Sequence, residues 1–345
     1  MSHSTSATEE EQRAMLQAAA LAGAVVRPWP NPPVGAVILD PAGREIGRGW
    51  HERAGGPHAE VAALAAAGNR ARGATMVVTL EPCRHRGRTG PCTERILASG
   101  ISRVVYAVAD PTAAGGGAAD LQRAGISVVR DDPHQAAAVL LEPWLFHLRT
   151  KRPWVTWKVA ASLDGSIVRN GADTRDPQQR WITSPESRQE VHRLRAQVGA
   201  IVTSTATVLD DDPLLTARPQ PPLPGRAPDP LRVVVGERSL AGTRLGAAIA
   251  TGEALGLPRC PPAEVLAVLH ERGVHHALLE CGSRLAGAFA AAGLIDELIW
   301  FIAPVILAGP IPALSWPNGE GDLSLAHWRV TPIGVDLCVR ARVQR

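Results

Sequence analysis

Two stretches of the chain hold residues that can bind a metal and move a proton. Residues 55–64 read GGPHAEVAAL, and residues 79–96 read TLEPCRHRGRTGPCTERI. His58 and Glu60 form an H-x-E pair at the start of a run rich in Ala and Leu. Cys83 and Cys92 form P-C-x8-C on a loop that leads into a second helical run. One imidazole and two thiolates supply three zinc ligands, and a catalytic zinc keeps its fourth position for water. The metal lowers the pKa of that water to about 7, which makes hydroxide available at neutral pH. Thiols at helix N-termini also lose their protons more readily. Glu60, two residues past His58, projects into the same cleft. A carboxylate there takes the proton of the attacking water and returns it to a leaving amine.

That combination matches the zinc nucleobase deaminases, in which the glutamate is not a ligand. The spacing here is C-x8-C rather than C-x2-C, so the insertion RHRGRTGP needs its own explanation. The competing reading is a closed structural zinc, for which His85 is the nearest fourth ligand. Asn31, in WPNPPVG (29–35), stands at the entrance of the first strand. Its amide is suited to a pyrimidine edge, or it is a turn residue. His51 follows a strand end and is either a substrate contact or a satisfied polar residue.

The second half offers weaker signals. Residues 278–288 read LLECGSRLAGA, a strand, a small turn and a helix start, where backbone N–H groups favour phosphate. The stretch is not G-x-G-x-x-G, so it gives no support to a Rossmann fold. A plain strand–helix junction is the bland alternative. Lys158 and Asp164 lie in KVAASLDG, and Asp210, Asp211 and Asp212 either do chemistry or merely stop a helix. Lys151 and Lys158 are the only lysines, so Lys158 does not belong to a general lysine background.

The elements that must position these groups alternate. Thr8 and Glu11 form a capping box for a helix over 8–22. Strands are expected at 34–39 and 44–50, followed by a helix at 58–67 and a strand at 75–80. A helix at 91–99 ends at Gly100. Strand 103–108, helix 118–124, strand 127–130 and a helical pattern over 133–149 complete the first half. This β-β-α-β-α-β-α-β order predicts a sheet covered by helices. The second half shows strands at 154–162, 200–203, 232–236, 275–280 and 297–303, with helices at 183–198, 262–272 and 283–292. The Pro-rich stretch 219–230 reads as an exposed loop, and the last ~20 residues as a strand pair.

Length and composition agree with two globular domains. At roughly 150 residues per domain, 345 residues suggest about two, with the boundary near 147–152. A 45% hydrophobic content and 20% charge argue against disorder. The net charge of +3 is too small and dispersed to indicate a nucleic-acid partner. Five cysteines, odd and sparse, do not form a disulfide framework. No signal peptide is visible, and no apolar stretch reaches the ~18 residues of a membrane span. The expectation is a cytoplasmic protein with no membrane partner.

The motifs PNPPVGAV (30–37), GGPHAEVAAL, TLEPCRHRGRTGPC, KVAASLDG (158–165), RWITSPESR (180–188), LRAQVGAIVTSTATVLDDDPLLTAR (194–218) and LLECGSRLAGAFAAAGLIDEL (278–298) occur in this order. Together they resemble the bifunctional riboflavin-biosynthesis deaminase–reductase family, over nearly the whole chain. The resemblance implies an α/β chain of two domains. The first, over 1–147, is a cytidine-deaminase-like α/β/α domain, and the second, over 152–345, is a dihydrofolate-reductase-like α/β domain. It implies Zn2+ and NADPH as cofactors and phosphoribosylaminopyrimidines as substrates. The ring 2-amino group leaves as ammonia, and the ribosyl group is then reduced to ribityl. It also suggests a homo-oligomer.

Residue by residue, the resemblance makes His58, Cys83 and Cys92 the zinc ligands and Glu60 the proton shuttle. It places Asn31, His51, His85 and Arg88 near the pyrimidine or phosphate. Ala160, Trp181, Thr207, Asp211 and the turn Gly282, Ser283, Arg284, Leu285, Ala286, Gly287, Ala288 fall at NADPH positions. Gln179, Arg195, Leu215, Arg218 and Glu280 fall at substrate positions. Arg195 and Arg218 suit a ribose phosphate, because a guanidinium forks onto phosphate oxygens. Lys158 is the candidate to hold the opened ribosyl group, and Lys158 or Asp211 to assist protonation. The chain departs from the family at Gly236-Glu237, where an acidic and then a small hydroxyl residue usually follow the strand. Residues 169–179 are longer than expected, and 110–120 are shorter. Two other readings compete. One is a zinc deaminase for another base joined to an unrelated second half. The other is a second half that binds a nucleotide without hydride transfer.

Overall fold

The computed structural model of the chain describes residues 6–24, 30–85, 90–171, 176, 180–222 and 229–344. Two compact units divide between Leu145 and Phe146. The first holds a five-stranded sheet in the order β2-β1-β3-β4-β5. Its strands are β1 (Gly35–Leu39), β2 (Glu45–Trp50), β3 (Thr75–Leu80), β4 (Arg103–Val108) and β5 (Ser127–Arg130). β1 runs antiparallel to β2 and β3, whereas β3, β4 and β5 are parallel. The helices are α1 (Glu9–Gly23), α2 (Ala59–Ala67), α3 (Cys92–Ser99) and α4 (Gly117–Arg123). The expected capping box opens α1. Thr8 Oγ1 accepts from the Glu11 N–H at 3.3 Å, and the Glu11 carboxylate accepts from the Thr8 N–H at 2.8 Å.

Two glycines explain how α2 comes to lie on the sheet. A Cβ at Gly47 would stand 2.6 Å from the Ala63 carbonyl oxygen, and one at Gly49 would stand 2.4 Å from that of Ala59. Only bare backbone on β2 allows this approach. Ala59, Ala63 and Ala67 repeat every four residues and form the face that packs there. They share a core with Ile38, Met76, Val78 and Ile96, all fully buried. Burying a side chain such as Met76 or Ile96 contributes about 1.5–3 kcal/mol. The first turn of α2 is thereby fixed against the sheet, and His58 and Glu60 with it.

In the second unit eight strands follow the order β12-β13-β11-β6-β10-β7-β8-β9. Six are parallel: β11 (Glu297–Ala303), β6 (Trp154–Ser162), β10 (His276–Leu279), β7 (Ala200–Ser204), β8 (Leu231–Val235) and β9 (Ala254–Leu257). β13 (Asp336–Val343) and β12 (Leu325–Ile333) extend the edge in antiparallel fashion, which is the expected terminal strand pair. The helix α5 (Ala136–Thr150) precedes this sheet. The others are α6 (Pro185–Gln197), α7 (Thr205–Asp211), α8 (Arg244–Ala250), α9 (Pro262–Glu271) and α10 (Ser283–Ala291).

Side chains alternate faces along a strand, and β6 uses both faces. Val155, Trp157 and Val159 enter a core with Ala277, Leu279, Leu269 and Phe289. Lys158 and Ala160 therefore point to the opposite face, where Ala160 packs on a core built from Leu194, Ile201, Leu278, Ile299 and Phe301. Short elements account for the differences from the sequence expectations. α7, α8 and β9 were not anticipated, and each has seven residues or fewer.

Three imidazoles stack in this unit. The His147 ring centroid lies 4.0 Å from that of His275 and 4.9 Å from that of His270. Burial and the neighbouring imidazoles push His275 down to about 4, and burial likewise lowers His147. Below the ordinary histidine value the unfolded chain takes up protons that the folded stack refuses. The contribution of these histidines to stability therefore falls with decreasing pH from about 6.5 to about 4, and is constant above that window. Urea midpoints at about pH 7.5 and about pH 4.5 should differ in that sense. His275→Phe, which keeps the ring stack and removes one site, should narrow the difference.

Candidate active sites

His58 is the N-cap of α2, with extended backbone at φ −69° and ψ 158°. Its side chain leaves before the helix begins, while Glu60 sits in the first turn. Cys92 is the first residue of α3, and Cys83 lies in the loop after β3. The His58 Nδ1 atom is 3.2 Å from Cys92 Sγ and 3.5 Å from Cys83 Sγ. Zinc bonds of about 2.0 Å to nitrogen and about 2.3 Å to sulfur, meeting at the tetrahedral angle, separate the two donors by about 3.5 Å. The donor set therefore fits zinc in both type and spacing.

The Cys92 thiol donates to Cys83, and His58 adds its own contact, so that Cys83 is held below the usual thiol value. The Cys92 backbone N–H also points at Cys83 Sγ, 3.4 Å away. Cys92 moves upward, because it supplies the shared proton and is buried. Among the described residues, His58, Cys83 and Cys92 form the only group whose ligand atoms converge, all within 4.8 Å of one another. His85 is exposed and does not join them. The closed site with His85 as fourth ligand is therefore not formed.

Glu60 is 4% exposed, and burial raises its carboxyl pKa. His51 packs edge-on to His58 at 5.5 Å between ring centroids. Its Nε2 accepts from the Asn31 amide at 2.9 Å, and its Nδ1–H donates to the Pro57 carbonyl at 2.9 Å. Burial holds His51 neutral. This pairing leaves the Asn31 carbonyl oxygen available to accept from an amino group.

In the second unit Glu280 joins two cations. Arg195 Nε is 2.6 Å from Glu280 Oε1, and its Nη2 is 2.9 Å from Oε2. Lys158 Nζ is 3.6 Å from Oε2. Burial alone would raise Glu280, but Arg195 and Lys158 overcome it and bring the carboxyl down to about 2. Burial lowers Lys158 against the pull of Glu280, and Asp211 also attracts its charge. Three expected residues, Lys158, Arg195 and Glu280, thus meet at one point, with Asp211 close enough to act on Lys158.

The expected cofactor turn lies alongside. The Gly282 N–H donates to Thr207 Oγ1 at 3.2 Å. This bond joins the turns at the carboxyl ends of β10 and β7, two adjacent parallel strands. In open α/β sheets ligands bind at such ends. A Cβ on Gly282 would meet nothing nearer than 3.9 Å, so the turn faces open space.

Comparison with known proteins adds the family. Residues 8–108 match the cytidine and deoxycytidylate deaminase zinc-binding region. Residues 153–339 match the RibD C-terminal domain. The riboflavin biosynthesis protein RibD of Mycobacterium tuberculosis is 44% identical over 323 residues, 90% of each chain. That of Escherichia coli is 38% identical over 90% of this chain and 93% of its own. The chain belongs to the RibD family. Among solved structures, Acinetobacter baumannii RibD superposes with a TM-score of 0.82 at 32% identity, over 98% of this chain and 99% of its own. A Thermotoga maritima structure described as a diaminohydroxyphosphoribosylaminopyrimidine deaminase/5-amino-6-(5-phosphoribosylamino)uracil reductase gives 0.82 at 30% identity, over 97% and 99%. The match over 153–339 removes the alternative of an unrelated second half.

The remaining expected residues of the chain are placed unequally. Trp181 is 47% exposed, with the Arg188 guanidinium 4.9 Å and the Arg180 guanidinium 5.6 Å from its ring. Leu215 is buried with φ +51°, and Arg218 is exposed beside it. Arg88 and Gln179 lie outside the described residues.

Sequence reasoning missed Glu81. Its carboxylate accepts backbone N–H groups from Asp110 at 3.1 Å and from Gly116 and Ala118 at 3.0 Å each. It ties the 110–118 segment against the Cys83 loop. The Arg84 N–H reinforces the tie by donating to the Ala114 carbonyl at 3.0 Å. The only signal in the sequence was an acid at the strand end of TLEPC.

Proposed function

We propose that the chain catalyses two consecutive steps of riboflavin biosynthesis. The first is hydrolytic deamination of 2,5-diamino-6-(5-phosphoribosylamino)pyrimidin-4-one. The second is NADPH-dependent reduction of the ribosyl group of 5-amino-6-(5-phosphoribosylamino)uracil. The observation that carries this reading is the convergence of His58, Cys83 and Cys92 beside buried Glu60, in a chain whose second half matches the RibD C-terminal domain. We assign the zinc-dependent deaminase to residues 1–147 and the reductase to residues 152–345.

His58, Cys83 and Cys92 hold the zinc. When bound, zinc supplies the Lewis acidity that makes water a nucleophile near neutral pH. Glu60 accepts the proton of the attacking water on its carboxylate and delivers it to the departing amino group, which leaves as ammonia. A carboxyl raised by burial suits both halves of that exchange. Asn31, oriented by His51, accepts from the pyrimidine and fixes its edge.

Ala160, Trp181, Thr207, Asp211 and the Gly282–Ala288 segment, which opens α10, would hold NADPH. When bound, NADPH would supply the hydride for reduction at C1′ of the opened sugar. Arg195, Leu215, Arg218 and Glu280 hold the phosphoribosyl part. Lys158 binds the opened sugar and, with Asp211, passes the balancing proton. The protein's main contribution to this step is alignment.

The test uses the purified full chain and the diaminopyrimidine substrate. Ammonia should appear without NADPH, and NADPH oxidation, faster than NADH oxidation, should follow only after deamination. Nucleotide binding without oxidation would leave the second half a non-catalytic binder. Treatment with a zinc chelator should abolish ammonia release while reduction of the deaminated uracil continues; equal loss of both activities would place the metal's role elsewhere.

The place of action is the cytoplasm, in keeping with five cysteines that are all free thiols. No helix among the described residues is long and apolar enough to cross a membrane. The assembly is a homo-oligomer built on the β12 edge, where Leu325, Trp328, Val330 and, on β13, Leu337 are exposed. An apolar edge strand left open is suited to pair with a second copy. Light scattering coupled to gel filtration should give a mass above that of one chain; the mass of a single chain would contradict it.

A further inference from the structure

Helix α6 reads the backbone of the segment that carries Leu215 and Arg218. His192 and Arg193 follow Gln189 by three and four residues, so both neighbour it on the helix surface. Gln189 Oε1 accepts from the Gln220 N–H at 3.0 Å, and Arg193 Nη2 donates to the Gln220 carbonyl at 3.1 Å. Between them, His192 Nδ1 stands 3.2 Å from the Thr216 carbonyl oxygen and 3.3 Å from the Arg218 backbone nitrogen. Arg195, one turn further along, also reaches the Thr216 carbonyl, at 3.4 Å, while holding Glu280. From the other side the Ala217 N–H is taken by Asp229 at 2.8 Å. The segment needs such restraint, because Leu215 is buried in a left-handed conformation at φ +51°, which costs a residue other than glycine free energy.

We propose that His192 is a positioning residue of the reductase site, whose Nδ1 locks the 215–218 turn and so holds Leu215 and Arg218 in register with Arg195 and Glu280. This inference rests on the reading that those four residues bind the phosphoribosyl part of the substrate. Either neutral tautomer serves the turn. With the proton on Nε2 the ring accepts from the Arg218 N–H, and with the proton on Nδ1 it donates to the Thr216 carbonyl. Burial, Arg195 and Arg218 all disfavour a charged ring, against a smaller pull from Glu280. The imidazole thus acts as a hydrogen-bonding spacer and leaves the positive charge to Arg195, which is held by Glu280, and to exposed Arg218. Substrate binding depends on this lock, whereas the NADPH turn at Gly282 and Thr207 does not share it.

The test compares His192→Ala, His192→Phe, His192→Gln and Arg218→Ala in the full chain. It measures KM and kcat for the deaminated substrate, NADPH affinity by intrinsic fluorescence, and ribose 5-phosphate affinity by calorimetry. NADPH affinity and far-ultraviolet circular dichroism of the same preparation report folding of the second unit, and the deamination rate reports that of the first. Losing a hydrogen bond that orders a binding loop should weaken ribose 5-phosphate and raise KM about tenfold in the Ala and Phe variants. kcat and NADPH affinity should change far less. The Gln variant, whose amide reaches either backbone partner, should recover most of the loss, and Phe, which keeps the volume alone, should not. If Arg218→Ala raises KM and His192→Ala does not, the role of His192 is overturned while the substrate assignment stands. If Arg218→Ala changes nothing, the substrate assignment fails and the inference fails with it. Parallel loss of kcat, NADPH binding and KM in every His192 variant, Gln included, makes the residue a general structural element and also overturns the proposal.

Discussion

Glu60→Gln should retain zinc and release almost no ammonia. The substitution keeps the size of the side chain and leaves all three metal ligands in place, so the His58, Cys83 and Cys92 triangle persists. The amide cannot take a proton from water or hand one to the amine. Loss of a positioned general acid–base group costs about 10²–10⁴-fold in rate, and here both proton transfers are lost together. Burial favours the variant's fold, because a neutral amide replaces a carboxyl whose ionisation burial already opposes. Reduction of the already deaminated substrate should proceed at the rate of the unmodified chain. The check is ammonia release, NADPH oxidation and zinc content measured on one preparation. Substantial deamination in this variant would remove Glu60 as the shuttle, and loss of zinc would make its role structural.

Lys158→Ala should have the second large effect, now on reduction alone. Lys158 carries the only cation that β6 offers to this face of the sheet, and it stands 3.6 Å from Glu280. In the proposed role, removing this charged donor should cost about 10²–10³-fold in kcat. The fold should survive, because Glu280 keeps its two bonds to Arg195 at 2.6 and 2.9 Å. No uncompensated buried charge results, and that is the condition under which breaking a buried pair is severe. Arg195→Ala differs, since it leaves a fully buried carboxylate with one loose partner. Ammonia release should be unchanged in Lys158→Ala. Loss of both activities would indicate misfolding, and unchanged reduction would exclude Lys158 from the chemistry.

The zinc triangle was legible because its information is local. His58 and Glu60 are two residues apart, and Cys83 and Cys92 flank one loop whose ends are fixed by a strand and a helix start. The sheet of the first unit was legible for a similar reason, since β1, β3 and β4 are apolar runs bounded by turn residues and β2 follows β1 across a short turn. α7 was not. Thr205, Thr207 and Val208 are β-branched and disfavour a helix, and what forms the turn is the Ser204 hydroxyl accepting from the Thr207 N–H at 3.2 Å. β9 is four residues long and gains its strand pairing only from β8.

Glu81 and His192 were silent for a different reason. Glu81 finds its backbone donors 29 to 37 residues away, and His192 meets its turn 24 and 26 residues away. No spacing rule reports on partners at that distance. Lys158, Arg195 and Glu280 came together only through the order β6-β10-β7, which sets strands from distant parts of the chain side by side. The motifs named these residues, and the sheet order gave the reason for their meeting.

The most direct measurement is zinc-edge X-ray absorption on the purified chain, with metal content determined in parallel. The expected result is one zinc per chain, surrounded by two sulfurs, one imidazole nitrogen and one further light atom that exchanges with solvent. Cys92→Ser should reduce the sulfur count to one. A sphere closed by a fourth side chain, or a chain that deaminates with no zinc at all, would contradict it.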